Sequence, residues 1–230
     1  MSDVSTPVTA AHFAYVAART RGEDAFLRDL RTAAKDAGLP PIHIAPEQAS
    51  LVQILLKLRG ARDVLEVGTL GGYSAIWMAR ALPEGGRVVT VEASPKHAAF
   101  ARAWIARSDV ARRIEVVEGL GAEALPKLAD RSFDALFLDA DKAGYAGYLA
   151  EARRLLRPRG LVMTDNAFAF GRLFDARATD REVPAVRAFN DHVATLDWLH
   201  AVITPIGDGM WTGVVDDPSP PARGGPSPGG

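Results

Sequence analysis

Residues 63–74 read DVLEVGTLGGYS and contain the features that decide the fold. The first five, Asp63–Val67, form a short and mostly apolar run, which is typical of a buried β-strand. The glycines that follow allow a tight turn and let a ligand approach the backbone. A helix carrying Ile76, Met78 and Leu82 is predicted next. The stretch therefore predicts a strand, a glycine-rich turn and a helix, the unit from which α/β proteins are built.

The same alternation continues along the chain. Further buried strands are predicted at Val88–Val91, Ile114–Val117, Ala135–Leu138 and Leu161–Thr164, with helical segments between them. Near-continuous apolar strands separated by helices indicate a parallel sheet that is covered on both faces. Two last strands, around Leu199–Ile203 and Trp211–Val215, are joined by too short a turn for a parallel crossover. They are predicted to form an antiparallel hairpin at the end of the sheet.

The chain divides into three parts by composition. Residues 1–60 are predicted to form an N-terminal helical layer of the same domain. Thr9 caps the first helix, the second ends at Gly38, and the third begins near Pro46. Residues 61–216 are predicted to form the α/β core. Residues 217–230 are rich in proline and glycine, and they are predicted to be disordered because they cannot build an apolar core.

Composition and charge exclude several classes of protein. The chain has 230 residues, of which 48% are hydrophobic, so it can form one sizeable core. The absence of cysteine excludes disulfides, thiolate nucleophiles and cysteine-ligated metals. With 27 basic and 28 acidic residues, the chain has no overall attraction for nucleic acid or an anionic membrane. No signal peptide or membrane span is evident, which favours a cytoplasmic location. The overall charge balance is still compatible with a local basic patch.

The acidic residues at the strand ends indicate which cofactor the glycine-rich turn would bind. Leu70 stands where a dinucleotide fingerprint needs its second glycine, and no P-loop lysine follows. Glu92, at the end of the second strand, can accept hydrogen bonds from both hydroxyls of a ribose. Glu66 suits a cationic ligand without pyrophosphate, and S-adenosyl-L-methionine meets that description. The alternative is that Glu66 stabilises a local turn and that Glu92 is solvated.

A second group of polar residues follows the fourth and fifth strands. Asp139 ends one strand and Asp165 with Asn166 ends the next. If these strands are neighbours, their backbones lie about 4.8 Å apart, and the three side chains can share one cation. Ligation by oxygen alone favours a hard ion, Mg²⁺ first, with Mn²⁺ or Ca²⁺ as alternatives. The five histidines show no metal-ligand spacing.

Lys142 lies three positions beyond Asp139 and is predicted to project into the same pocket. There it would act as a base or stabilise the charge that develops on a phenolate. Asp141 precedes a helix that starts near Tyr145, so it is predicted to cap that helix or to support the site from behind.

Three segments resemble the cation-dependent O-methyltransferases of the catechol and caffeoyl-coenzyme A type. They are EVGT at 66–69 with GYS at 72–74, LDADK at 138–142, and DN at 165–166. The resemblance implies an α/β, Rossmann-like class I methyltransferase fold. Such a fold has a mostly parallel seven-stranded sheet, an antiparallel last strand and helices on both faces. Members of this family are commonly dimeric, so the resemblance also implies a homodimer.

The resemblance also implies a role for each matched position. Gly68 would line the cofactor, Ser74 would bind its carboxylate end, and Glu92 would hold its ribose. Gly121 would contact the adenine through its backbone, and Glu66 and Asp139 complete the predicted cofactor contacts. Asp139, Asp165 and Asn166 would hold the metal, and Lys142 would be the catalytic base.

The segment that follows Asp165-Asn166 departs from the family pattern. It reads AFAFGR, with Ala169 where a tryptophan often stands, and Ala49 replaces a common glycine further upstream. No convincing match exists for the second, hydroxyl-orienting glutamate of catechol enzymes. The substrate pocket is therefore expected to be reshaped, and its predicted residues are His43, Ile44, Phe168, Phe170 and Arg172. The aromatic residues among them suit an ordinary core equally well.

These observations together predict an enzyme that methylates a hydroxyl of a small catechol-like molecule. Three alternatives stay open at this point. The first is a methyltransferase of the same family that acts on a hydroxylated uridine of tRNA, against which the balanced charge argues. The second is a protein that binds S-adenosylmethionine without catalysis. The third is a nicotinamide oxidoreductase, which Leu70 disfavours.

Overall fold

The computed structural model describes residues 6–178 and 180–216, and seven strands in these ranges form one sheet. The strands are β1 (Asp63–Val67), β2 (Arg87–Glu92), β3 (Ile114–Glu118), β4 (Phe133–Leu138), β5 (Leu156–Thr164), β6 (Leu199–Thr204) and β7 (Met210–Val215). Their spatial order is β3-β2-β1-β4-β5-β7-β6. β1 to β5 run parallel, while β7 is antiparallel to both of its neighbours. The predicted Rossmann-like α/β fold with an antiparallel last strand is confirmed.

Helices connect and cover the strands. They are α1 (Ala10–Ala17), α2 (Ala25–Asp36), α3 (Pro46–Arg59), α4 (Tyr73–Ala81), α5 (Pro95–Ile105), the short α6 (Gly121–Ala124), α7 (Tyr145–Leu155) and α8 (Glu182–Val193). Two buried clusters lie on the two faces of the sheet. Val64 and Phe137 contribute to one cluster, and Leu65 and Leu136 to the other, as alternation along a strand requires.

The N-terminal helices share the core of one sheet face. Leu27 and Leu30 of α2 and Val52 and Leu56 of α3 are buried in the same cluster as β1. Gly60 ends α3 in the left-handed conformation (φ 66°), as expected for a C-terminal helix cap. α1 has no buried residue.

β5 differs most from the sequence prediction. β5 begins at Leu156 instead of Leu161, and its pairing with β4 shifts register between Phe133 and Ala135. Pro158 and Gly160 obscured this in the sequence, since both residues weaken a strand pattern. The predicted disorder of residues 217–230 concerns residues outside those that the structure describes.

The order of the strands reverses at β1, which lies between β2 and β4. In open α/β sheets, ligands bind beyond the carboxyl ends of the strands at such a point. The predicted cofactor and cation residues lie at or just beyond the carboxyl ends of β1 to β5. Within the described ranges, no helix combines the length and the apolar character that crossing a bilayer requires.

Candidate active site

A cavity of about 330 Å³ opens at the carboxyl edge of the sheet. Its wall comes from the segments that follow β1 to β5, together with residues 40–44, which precede α3. The predicted site residues on this wall are Gly68, Ser74, Glu92, Gly121, Asp139, Lys142 and Asn166. The volume lies in the range of small-molecule sites, and the strand topology brings these residues together from five separate segments.

Gly68 shows why the turn after β1 needs a glycine. Its φ is 102°, and a Cβ at this position would lie 1.9 Å from the backbone oxygen of Asp139. Leu70 also has a positive φ of 48°, which an L-amino acid with a side chain rarely adopts. The tight turn therefore brings the backbone of β1 directly against the chain that leaves β4, and it forms the cavity floor.

Glu92 lines the cavity with a carboxylate that the backbone holds in place. Its Oε2 accepts hydrogen bonds from the N–H groups of Thr69 (3.1 Å) and Leu70 (2.8 Å). Its Oε1 accepts one from the N–H of Ser94 (2.9 Å). Each carboxylate oxygen has further acceptor capacity, so a pinned Glu92 can still receive hydroxyl donors from the cavity.

Glu66 does not lie on the cavity wall, although the sequence predicted a cofactor contact for it. The side chain is fully buried and accepts hydrogen bonds from the hydroxyls of Ser74 and Thr90. Ser74 itself lines the cavity. In this structure Glu66 therefore acts on the site through Ser74, whose hydroxyl it orients. This is close to the alternative in which Glu66 stabilises the local turn.

Burial raises the pKa of Glu66 from 4.5 to about 8, against the opposing effect of the hydrogen bonds from Ser74 and Thr90. The folded state thus holds this proton to a higher pH than the unfolded chain does. Between those two pH values the folded state binds more protons, so the free energy of unfolding decreases as the pH rises. The slope is at most about 1.4 kcal/mol per pH unit.

We expect Glu66→Gln to remove this part of the pH dependence, because the amide stays neutral at every pH. Urea unfolding of the wild type and the variant at pH 5 and at pH 8 measures it. The wild type should lose more stability than the variant between the two pH values. Equal losses would show that Glu66 is ionised in the folded protein throughout this range.

The tips of β4 and β5 are neighbours, as the metal hypothesis requires. Leu138 and Thr164 are register partners, and the N–H of Asp165 donates to the carbonyl of Leu138 at 2.9 Å. Asp139 and Asp165 are the next residues of the two strands. They therefore leave the sheet side by side.

Asp165 is 5% exposed and lies behind the cavity wall, whereas Asp139 and Asn166 line the cavity. The Nε2 of Gln48 donates to Asp165 Oδ1 at 2.6 Å. Burial raises the pKa of Asp165, and the nearby carboxylate of Asp139 raises it further. Burial also raises the pKa of Asp139, although Lys142 opposes this effect. Two carboxylates are thus held close together in a poorly solvated place.

Lys142 is held at this edge by side chains on two sides. It is 7% exposed, and its Nζ donates to the hydroxyl of Tyr145 at 2.7 Å and to Asp139 Oδ1 at 3.3 Å. Its Nζ also lies 5.7 Å from the centre of the Phe170 ring. The ammonium group therefore reaches the cavity beside Asp139.

Asp141 was predicted to cap the helix or to support the site from behind, and of these two alternatives the cap is not observed. Its side chain makes no cap hydrogen bond, and its Oδ1 instead accepts the hydroxyl of Tyr148 at 2.6 Å. Tyr148 in turn packs on Gly121, where a Cβ would lie 2.7 Å from the tyrosine ring. Asp141 and Tyr148 both line the cavity near Gly121. Asp141 therefore contributes to the cavity wall and not to a helix cap.

The predicted substrate residues separate into two groups. His43, Ile44 and Phe170 line the cavity. Phe168 lies elsewhere and packs against Gly209, where a Cβ would be 2.8 Å from its ring. Arg172 pairs with Asp180 at 2.6 Å and is not part of the wall. Phe168 and Arg172 flank Ala169 and Phe170, whose positive φ values the sequence does not predict.

Three residues of the site were not predicted from the sequence. Gln48 holds Asp165, Tyr145 holds Lys142, and Asp208 accepts a hydrogen bond from Asn166 Nδ2 at 3.0 Å. Only Asp208 had a local signal, since it stands between two glycines in a turn. The others become visible only when distant segments meet.

The side chains at the tips of β4 and β5 bear on the predicted cation site. Within the described residues, no group of three or more His, Cys, Asp or Glu side chains has the arrangement of a metal site. The predicted set differs in kind, because its third member is the amide of Asn166. Two carboxylates and one amide oxygen at adjacent strand tips are donors that a hard divalent cation prefers. The donor set therefore fits such an ion.

Comparison with known proteins defines the class. A model of the O-methyltransferase family matches residues 17–214, which include every predicted site residue and all of the sheet except Val215. The chain therefore belongs to the O-methyltransferase family. It is an enzyme of this class, and the oxidoreductase and non-catalytic alternatives are wrong.

Individual relatives agree with this assignment. The chain is 41% identical to a catechol O-methyltransferase of Niastella koreensis, over 73% of this chain and 77% of the relative. It is 38% identical to a catechol O-methyltransferase of Mycobacterium tuberculosis, over 84% and 87%. The structure of an O-methyltransferase from Bacillus cereus in complex with SAH superposes with a TM-score of 0.81. That pair is 36% identical and aligns over 90% of this chain and 97% of the other.

Proposed function

We propose that the chain transfers the methyl group of S-adenosylmethionine to one hydroxyl of a catechol-like small molecule, with the help of a divalent cation. The observation that carries this proposal is the meeting of four residues at the tips of β4 and β5. Asp139, Asn166 and Lys142 line the cavity there, and Asp165 lies directly behind its wall. Two relatives named catechol O-methyltransferase support the substrate class. The Bacillus cereus enzyme, whose structure is a complex with SAH, supports S-adenosylmethionine as the methyl donor.

The part of the cavity near β1 and β2 is suited to the methyl donor, which supplies an electrophilic methyl group on a sulfonium. The carboxylate of Glu92 faces the cavity where a ribose would offer its hydroxyls. Ser74 and the backbone beside Gly68 line the same side. Tyr148 packs on Gly121, both residues line the cavity, and an adenine would lie beside them.

Asp139, Asp165 and Asn166 would hold the cation, with Mg²⁺ the first choice for oxygen donors. When bound there, a divalent cation supplies Lewis acidity, which makes a phenolic hydroxyl easier to deprotonate. Such help is needed because a free phenol has a pKa of about 10 and is a poor nucleophile at neutral pH. Two adjacent hydroxyls would fix the orientation of the acceptor, which is the reason for proposing a catechol.

Lys142 is the residue that would take or offset the proton of the acceptor. Its Nζ lies beside Asp139 and is held by Tyr145, so its position does not depend on the bound acceptor. Phe170, whose ring lies close to Lys142, would cover the acceptor and keep water away. Fixed alignment of the acceptor hydroxyl with the methyl group then supplies much of the rate acceleration.

A panel of acceptors tests the substrate class. We expect a monomethyl ether, detected by mass spectrometry, from compounds with two adjacent phenolic hydroxyls. The matched controls are isomers with the same hydroxyls in the 1,3 arrangement, which cannot present both oxygens to one ion and should react far more slowly. Equal rates for the two isomers would contradict the catechol proposal, and a preference for hydroxylated uridine in tRNA would favour the alternative of the same family.

A homodimer and a cytoplasmic location, which the resemblance and the sequence imply, remain predictions. Tyr15 of α1 is 60% exposed and Leu58 of α3 is 80% exposed, so these helices offer apolar surface to a second copy.

A further inference from the structure

Asp208 lies in the turn between β6 and β7, yet its carboxylate is bound to the segment that follows β5. Its Oδ2 accepts hydrogen bonds from Asn166 Nδ2 at 3.0 Å and from the N–H of Phe170 at 2.7 Å. Its Oδ1 accepts one from the N–H of Gly171 at 3.0 Å. One carboxylate therefore holds a residue of the proposed cation site and two residues of the loop that carries Phe170.

The bond to Asn166 fixes which end of its amide faces the cavity edge. A carboxylate only accepts hydrogen bonds, so it requires the NH₂ group of the amide. The amide oxygen then points away from Asp208. Since a hard cation binds oxygen and never an NH₂ group, this is the orientation that a ligand at position 166 needs. Without Asp208, either end of the amide would be free to face the cation.

The bonds to the loop act on a strained backbone. Asn166, Ala169 and Phe170 have φ values of 65°, 54° and 58°, a region that residues with side chains adopt rarely. Consecutive N–H groups in such a conformation form a concave site for an anion. The carboxylate of Asp208 fills this site with the N–H groups of Phe170 and Gly171. The strained loop is thereby kept in the conformation that places Phe170 on the cavity wall.

We propose that Asp208 is a positioning residue that turns the oxygen of Asn166 toward the cation and fixes Phe170 above the acceptor at the same time. This inference rests on the proposed function, since it assigns Asn166 as a ligand. Orientation of a ligand by a carboxylate behind it is a general feature of metal sites, and removing such a partner typically costs about 10- to 100-fold in metal affinity.

Titration of the protein with Mn²⁺ alone, followed by calorimetry, tests the inference without any turnover. We expect Asp208→Ala to weaken Mn²⁺ binding by about 10- to 100-fold. Asn166→Ala should also weaken it, and the double variant should bind no worse than Asn166→Ala, because Asp208 acts through Asn166. Asp197→Ala, at an exposed aspartate at the other edge of the sheet, is the matched control and should bind as the wild type does.

Each other outcome overturns the inference in a distinguishable way. A wild type that binds no divalent cation removes the proposed function and this inference together. A wild type that binds Mn²⁺, with an unchanged dissociation constant in Asp208→Ala, removes the inference alone. Losses that add in the double variant show that Asp208 does not act through Asn166. If Asp208→Ala does not fold, the same cycle is measured with Asp208→Leu, which keeps a similar volume and offers no acceptor to Asn166.

Discussion

Replacement of Asp165 by alanine should reduce methyl transfer to a catechol by at least about 100-fold, more than the loss of a residue behind a metal ligand. Asp165 offers one of two carboxylates to the proposed cation, and without it the remaining donors are Asp139 and a neutral amide. Affinity for S-adenosylmethionine, measured by calorimetry, should stay nearly unchanged. The proposed contacts of S-adenosylmethionine with Gly68, Ser74 and Glu92 do not involve Asp165.

Two further variants separate this effect from a loss of structure. Asp165→Asn keeps the volume and an oxygen that can accept from Gln48, so it should fold as the wild type does and show an intermediate loss of turnover. Asp191→Ala removes an exposed aspartate of α8 and should leave turnover unchanged. Wild-type turnover in a folded Asp165→Ala protein would remove Asp165 from the cation site.

Replacement of Lys142 by methionine should reduce kcat by about 10²- to 10⁴-fold, the range typical of a group that moves a proton in the transition state. Methionine keeps most of the volume of the buried stem and removes the ammonium that lies beside Asp139. KM for S-adenosylmethionine should change little. Lys127→Met, at an exposed position, is the control for the substitution itself.

Acceptors of different acidity test whether the loss of turnover in Lys142→Met comes from the proton transfer. A catechol with an electron-withdrawing nitro group ionises more readily and needs less help with deprotonation. The loss caused by Lys142→Met should therefore be smaller with the nitrocatechol than with catechol. A loss of the same size for both acceptors would indicate that Lys142 orients the acceptor and takes no part in the proton transfer.

The centre of the sheet was predictable because β1, β2 and β4 are buried on both faces. Asp63–Val67 was predicted with its observed bounds, and the strand ending at Leu138 differs only at its start. A continuous apolar run leaves little choice of structure, and the polar residue that ends it marks the strand tip. This is why the neighbourhood of Asp139 and Asp165 was also predictable, since both directly follow such runs.

The surroundings of the site were less predictable because they depend on contacts between distant segments. Gln48 and Asp165 are 117 positions apart in the chain, and no local pattern connects them. Asp208 is 42 positions from Asn166. In the loop after Asn166, residues other than glycine adopt positive φ, which propensities disfavour. Phe168 and Arg172 were predicted to line the pocket, and they do not lie on its wall.

The dependence of catechol methylation on a divalent cation tests the central claim most directly. The protein is treated with EDTA, dialysed, and assayed with S-adenosylmethionine and catechol before and after addition of Mg²⁺. We predict negligible turnover of the dialysed protein and recovery of full turnover with Mg²⁺, while binding of S-adenosylmethionine persists throughout. Full turnover of the dialysed protein in the presence of EDTA would contradict a cation shared by Asp139, Asp165 and Asn166.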